Sequence, residues 1–431
     1  MKPPYPSVTN GAILILEPQT ASLQIAQYAR EQGYAPIVVT ADRHEIEAVR
    51  EPYRTCLDAI SDWHIVDYWR PDGAFRTMLA ALIKRHAIVG VHARSELCLP
   101  AEAEIRKLLG LPHAEADEIA SWTDKLSLRR ELQRAGLSQL ACVDAASLAD
   151  APKWPFPGDA IFKPRRGVDS LGVRRCRSQA DVADALRLYG ETISGPISDT
   201  VDRHYLREFE SGAFVEEAAR GELLSVEGVA EAGHFRPIGI TGRNLYSRNP
   251  VIELGFRFPY EPAAAAAIMG KAEAILAAIG YRDGAVHMEM MVDGADSIEL
   301  IDFNPRLVGS DVMLAMNRAY GTRMEEAMLR LGTGRENGIQ PGEPVCFIDS
   351  RSFFAEDDVE HLQSISFPEH PQLIHGLARK APGARLDPPP KHVSGIVGSF
   401  TVSGASAEEA AFHARWIADQ IRINGTHRID R

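Results

Sequence analysis

The stretch "GAVHMEMMVDGADSIELIDFNPR", residues 284 to 306, reads as two strands joined at "DGAD". Side chains alternate in direction along a strand, so Asp302, Asn304 and Arg306 share one face of the second strand, and His287 and Glu289 of the first lie opposite them. Glu289, Asp302 and Asn304 offer the oxygen donors that a hard cation such as Mg²⁺ takes, with water and substrate phosphates filling the remaining positions. Arg306, one step along, suits bidentate contact with a phosphate or carboxylate. The same residues also fit an internal salt-bridge ladder in which Arg306 neutralises Asp302, because buried carboxylates need partners. His287 suits a core or supporting position better than a metal ligand.

A chain of 431 residues predicts two or three domains. With 45% hydrophobic and 25% charged residues and no apolar run long enough to span a bilayer, it reads as a globular protein without a membrane segment. The opening "MKPPYPSVTN" lacks the layout of a secretory signal, which predicts a cytoplasmic protein. A net charge of -12 is the opposite of a nucleic-acid footprint and favours small-molecule partners. Cys56, Cys98, Cys142, Cys176 and Cys346 are scattered, which argues against a zinc cluster or a disulfide framework.

Toward the N-terminus, "AILILEP", "ASLQIAQYAREQGY" and "APIVVTAD" form a strand-helix-strand unit, and "HAIVGVHARSE" followed by "LCLPAEAEIRKLLGLP" repeats the alternation. Residues 1–112 thus read as an open α/β, Rossmann-like domain. The turn "EPQTAS" carries no glycine, so the dinucleotide fingerprint is absent and no nicotinamide cofactor is assigned. Residues 113–340 read as α+β with a largely antiparallel sheet: a helix at "DKLSLRRELQRAGLSQ", strands at "AIFKP", "HYLREF", "GAFVEEA", "LLSVEGVAEAG" and "HFRPIGITGR", and a helix at "AAAAAIMGKAEAILAAIG". Residues 341–431 read as a small strand-and-helix lobe.

Two further segments carry chemistry. "FKPRRGVDSLGV" puts Lys163 at a strand end before a turn with Gly167, Ser170, Leu171 and Gly172, where glycines admit backbone N–H groups to an anion and the lysine adds a point charge. It is not a Walker loop, and alone it fits a basic hairpin equally well. "FVEEAARGE" ends a strand with Glu216 and Glu217, whose side chains take opposite faces, so at most one of them meets a given ligand.

Taken in order, Lys125 before a helix, Lys163 before a glycine loop, a glutamate-bearing strand and the closing "HMEM…IELIDFNPRLVGS" resemble the ATP-grasp superfamily, over roughly residues 1 to 340. Within it the chain looks most like the carboxylate-amine ligases that join L-amino acids. The resemblance implies a lid subdomain at about residues 150–215. It implies that Lys125 and Lys163 contact ATP phosphates, that the loop Gly167–Gly172 with Ser170 and Leu171 closes over them, and that Glu216, Glu217 and Ala219 form the adenine hinge, with Glu222 at the ribose. Glu289, Asp302 and Asn304 would hold magnesium, two ions with manganese as a substitute, and Arg306 the transferred phosphate. Glu253 would receive a substrate amino group and Arg243 a substrate carboxylate. The implied reaction forms an amide through an acyl phosphate, releasing ADP and phosphate, with small carboxylates and amines as partners and a homodimer as the assembly. Rival readings are a ligase or carboxylase for another carboxylate, or a non-catalytic ATP sensor. In three places the chain departs from the pattern: Asp302 stands where glutamate is commoner, Ala218 and Ala219 replace bulkier hinge residues, and the glutamate of "GELLSVEG" is ambiguously placed.

Overall fold

The computed structural model describes residues 5–17, 20–41, 46, 49, 53–68, 71–149, 153–167, 170–194, 208–387 and 391–431. The chain begins with β1 (Ala12–Leu16), α1 (Thr20–Glu31), β2 (Ala35–Thr40), β3 (Asp62–Ile65), α2 (Gly73–Arg85), β4 (Ile88–Ala93) and α3 (Leu99–Leu108). β1 and β2 are buried throughout, as strands covered on both faces are. The strands form a parallel sheet in the order β3-β2-β1-β4. The order reverses at β1, and the crevice outside the carboxyl ends of β1 and β4 is where open α/β sheets usually bind ligands. Glu96 follows β4 at that end.

Next come α4 (Ala116–Thr123) and α5 (Lys125–Arg134). Asp124 caps α5 by accepting from the Ser127 N–H at 3.0 Å. β5 (Cys142–Asp144), α6 (Ala145–Ala149), β6 (Ala160–Pro164), β7 (Arg174–Cys176), α7 (Gln179–Ser194) and β8 (Ala213–Glu217) follow, with the strands in a small antiparallel sheet ordered β5-β8-β6-β7. It packs on Phe162, Tyr189, Phe209 and Val215. This is the region expected to be a lid, although its first strand starts ahead of residue 150. The strand expected at "HYLREF" has residues 204–207 outside the described residues, and Glu208 and Phe209 are helical.

The rest builds one large sheet from β9 (Glu222–Glu231), β10 (His234–Tyr246), β11 (Asn249–Phe258), β12 (Gly284–Val292), β13 (Ile298–Asn304) and β14 (Phe347–Ala355), then, past the short β15 (Ile365–Ser366), β16 (Leu373–Ala378) and β17 (Gly398–Gly404). Interleaved are α8 (Ala265–Ala278), α9 (Ser310–Tyr320), α10 (Met324–Gly332) and α11 (Ala407–Gln420). The strand order is β13-β12-β9-β10-β11-β14-β17-β16. The strand-and-helix lobe expected for residues 341–431 is joined to this sheet: β14, β17 and β16 extend it, because β11 offers its free edge to β14.

One face of this sheet packs Leu224, Val226, Met288, Met290 and Leu300 against Ile268, Ala272 and Ile275 of α8. The other face carries the polar side chains. A bulge in β13 makes the division: Glu289 pairs Asp302 and Met290 pairs Leu300, leaving Ile301 as the extra residue. Leu300 and Phe303 both reach the core while Asp302 and Asn304 keep the opposite face. Unbroken alternation would have put Leu300 beside Asp302.

Candidate active site

In the sheet register Asp302, Glu289, Ser225 and Thr241 stand side by side across β13, β12, β9 and β10, and Asn304, His287 and Glu227 form the next row. Facing residues of antiparallel strands share a side, so the antiparallel pairing delivers these side chains to one surface. α5 lies over it. Lys125 reaches Asp302 Oδ1 at 2.8 Å and donates to the Gly167 carbonyl at 3.3 Å. Arg165 pairs with the capping Asp124, and the Lys125 N–H donates to the Arg165 carbonyl at 2.9 Å, which ties the loop after β6 to the start of α5.

Arg306 lies beyond the end of β13 rather than on it, contrary to the expected strand position. It still closes the row, donating from Nη2 to Asn304 Oδ1 at 3.3 Å and from Nε to Glu96 Oε2 at 2.6 Å. Burial raises the Glu96 carboxyl, but Arg306 and Lys125 more than offset this and hold it below the ordinary range. Lys163 lies 2.5 Å from Glu216 Oε1.

His287 sits between two carboxylates, 2.9 Å from Glu227 and 3.4 Å from Glu289. Burial opposes its charge, yet chiefly Glu227 pushes it up to about 9, so it is an imidazolium at neutral pH. Burial raises Glu289 and His287 lowers it, with the net direction down. Asp302 moves up, because burial and the Glu289 charge outweigh Lys125. The surface thus carries more negative charge than Lys125 alone offsets there. Among the described residues no three His, Cys, Asp or Glu side chains form a closed metal cage. Glu289, Asp302 and the Asn304 amide are instead the partial oxygen set that suits Mg²⁺, which keeps waters and binds substrate phosphates.

Arg243 bridges the same face, with Nη1 at 3.2 Å from Glu253 Oε2 and Nη2 donating to Ser225 Oγ at 2.8 Å. Glu217 and Ala219 stand where β8 leads into β9. Ser170, Leu171 and Gly172 belong to the turn joining β6 to β7, whose residues 168–169 lie outside the described residues. Glu222 is a correction. It shares strand parity with Leu224 and Val226, on the side away from Ser225 and Glu227, and is held by Arg257 at 2.9 Å and the Tyr260 hydroxyl at 2.5 Å.

Sequence reasoning missed Glu96, Arg129, Ser225, Glu227 and Thr241. Arg129 had a signal, since it follows Lys125 by one helical turn. Ser225 and Glu227 had the alternation of "SVEG". Glu96 had none beyond following a strand end.

Residues 156–314 match the family model of the ATP-grasp domain. Over 401 residues, 85% of this chain and 83% of the relative, the sequence is 20% identical to an alanine–anticapsin ligase of Bacillus amyloliquefaciens. Among solved structures, the fold is similar to that of an L-amino acid ligase from Bacillus licheniformis, with a TM-score of 0.76 at 19% identity over 96% of this chain and 98% of that one. It is also similar to a phosphoribosylglycinamide synthetase from Anaerococcus prevotii, with a TM-score of 0.67 at 14% identity over 96% and 98% of the two chains.

Proposed function

We propose that this chain, whose fold is the ATP-grasp fold, is an ATP-dependent carboxylate-amine ligase that joins small molecules of the amino acid class. The observation that carries the reading is the group Glu289, Asp302 and Asn304 on one face of β12 and β13, with Lys125 on Asp302 and Arg306 on Asn304. The relatives named as ligases support amide formation, and those named for amino acids or alanine support the substrate class.

In the reaction, a substrate carboxylate attacks the γ-phosphorus of ATP, giving an acyl phosphate and ADP. The amine then attacks the acyl carbon and phosphate leaves. Lys125 and Lys163 bind phosphate oxygens, the loop Gly167–Gly172 covers them, and the backbone of the link Glu216–Ala219 borders the adenine. Glu289, Asp302 and Asn304 would hold magnesium, two ions with manganese able to substitute, which when bound neutralises phosphate charge. Arg306, fixed by Glu96, meets the transferred phosphate. Arg243 and Glu253 orient a substrate by its carboxylate and amino groups. Catalysis rests on positioning and charge rather than on a protein nucleophile. We place the enzyme in the cytoplasm as a homodimer; among the described residues no helix is long and apolar enough to cross a membrane.

The test is incubation with Mg-ATP and pairs of L-amino acids, resolving ADP from AMP and reading new amide masses. ADP that appears only with particular pairs, together with the amide mass, is the expected result. ADP formation indifferent to amino acids would overturn the substrate class.

A further inference from the structure

Glu216 is shared between two cations. Its carboxylate, 2% exposed, meets Lys163 Nζ at 2.5 Å through one oxygen and Arg129 Nε at 2.8 Å through the other. The Arg129 guanidinium is anchored elsewhere as well, donating to Ser138 Oγ at 3.0 Å, to Glu299 Oε2 at 3.3 Å and to the Leu300 carbonyl. Lys163 has a weaker second hold, on the Ile301 carbonyl at 3.5 Å. Burial raises the Glu216 carboxyl, and Arg129 and then Lys163 bring it below the ordinary range. A small gap lined by Leu128, Leu132 and Phe214 as well as by Lys125, Arg129 and Glu216 lies alongside.

An ammonium that serves a phosphate must first leave its carboxylate, and a carboxylate this buried is costly to strip of its partner. The Arg129 fork, fixed by three other acceptors, stays in place when Lys163 turns away. We propose that Arg129 is a positioning residue that keeps the Glu216 charge compensated, so that Lys163 is free to exchange from Glu216 to the phosphates of the nucleotide. The inference rests on the proposed ATP site, in which Lys163 binds phosphate oxygens.

The test is a double-variant cycle in the full chain, with Mg-ATP binding read by calorimetry and folding by thermal melting. Arg129→Met leaves Lys163 as the remaining cation on Glu216 and is expected to weaken Mg-ATP binding roughly tenfold or more. Adding Glu216→Gln releases the lysine and is expected to restore affinity to within about threefold of the unmodified protein. A purely structural arginine would show no such rescue, so a double variant as weak as Arg129→Met overturns the proposal. Arg129→Gln, which retains hydrogen-bonding groups, repeats the cycle should Arg129→Met not fold; loss of folding in both would show the arginine to be structural alone and would likewise overturn it. Absence of Mg-ATP binding in the unmodified protein fails the ATP-site reading itself, whereas binding that Arg129→Met leaves intact fails only this inference.

Discussion

Arg306 Nε stands 2.6 Å from Glu96 Oε2, so a carboxylate at the end of the N-terminal parallel sheet holds the guanidinium that closes the Asn304–His287–Glu227 row of the large sheet. The N-terminal sheet thereby reaches the candidate site. Glu96→Gln is expected to lower kcat by about tenfold or more, the usual scale for a lost supporting partner, with KM for ATP changed less than kcat. Steady-state kinetics with saturating amino acids reads this; an unchanged kcat would remove Glu96 from the account.

Asp302→Asn and Arg306→Ala test the site directly. Each is expected to cut turnover by roughly a hundredfold or more while thermal melting stays near that of the unmodified protein, because both side chains act on charge and neither fills the apolar core. Near-normal turnover in both variants would dismiss the site.

His92 is 7% exposed, and its Nε2 has no hydrogen-bond partner among the described residues. Burial first, then Arg94 and Arg106, push it from 6.5 down to about 4. A depressed histidine binds fewer protons in the folded than in the unfolded state between those values. Its contribution to stability is whole above pH 6.5 and is lost as pH falls toward 4. At pH 5 this amounts to about 2 kcal/mol relative to neutral pH. Denaturant titrations at pH 7 and pH 5 should show that loss, and His92→Leu should reduce it; an equal loss in the variant would point to other groups.

Gly221 joins the small sheet to β9 with φ +102, and a Cβ there would stand 2.0 Å from the Val292 carbonyl oxygen. The clash is with backbone, which cannot rotate away. Gly221→Ala is expected to destabilise the protein by about 2 kcal/mol or more. Thermal and denaturant melts read the change, and a neutral substitution would mean that the junction rearranges freely.

Much of this arrangement was legible in the chain. The pairing of Glu289 with Asp302 and of His287 with Asn304 follows from strand alternation and a short connection, and the parallel sheet from apolar runs alternating with helices. The bulge at Ile301 was not legible, because it depends on how β12 and β13 settle on the core beneath them. Glu222 was misplaced for a related reason: its strand begins one residue after Gly221, and which face the strand presents is set by its pairing with β12. Glu96 and Arg129 act across more than 80 residues of chain, on Arg306 and Glu216 respectively; helical spacing from Lys125 marks Arg129, but one sequence carries no signal that pairs either residue with its distant partner.

The most direct test of the central claim is to follow the carboxylate oxygen. With an ¹⁸O-labelled amino acid as acyl substrate, a second amino acid and Mg-ATP, attack on the γ-phosphate sends one labelled oxygen into the released phosphate, alongside ADP. The account predicts label in phosphate in step with amide formation. Label in AMP, or ADP formed with unlabelled phosphate, would contradict it.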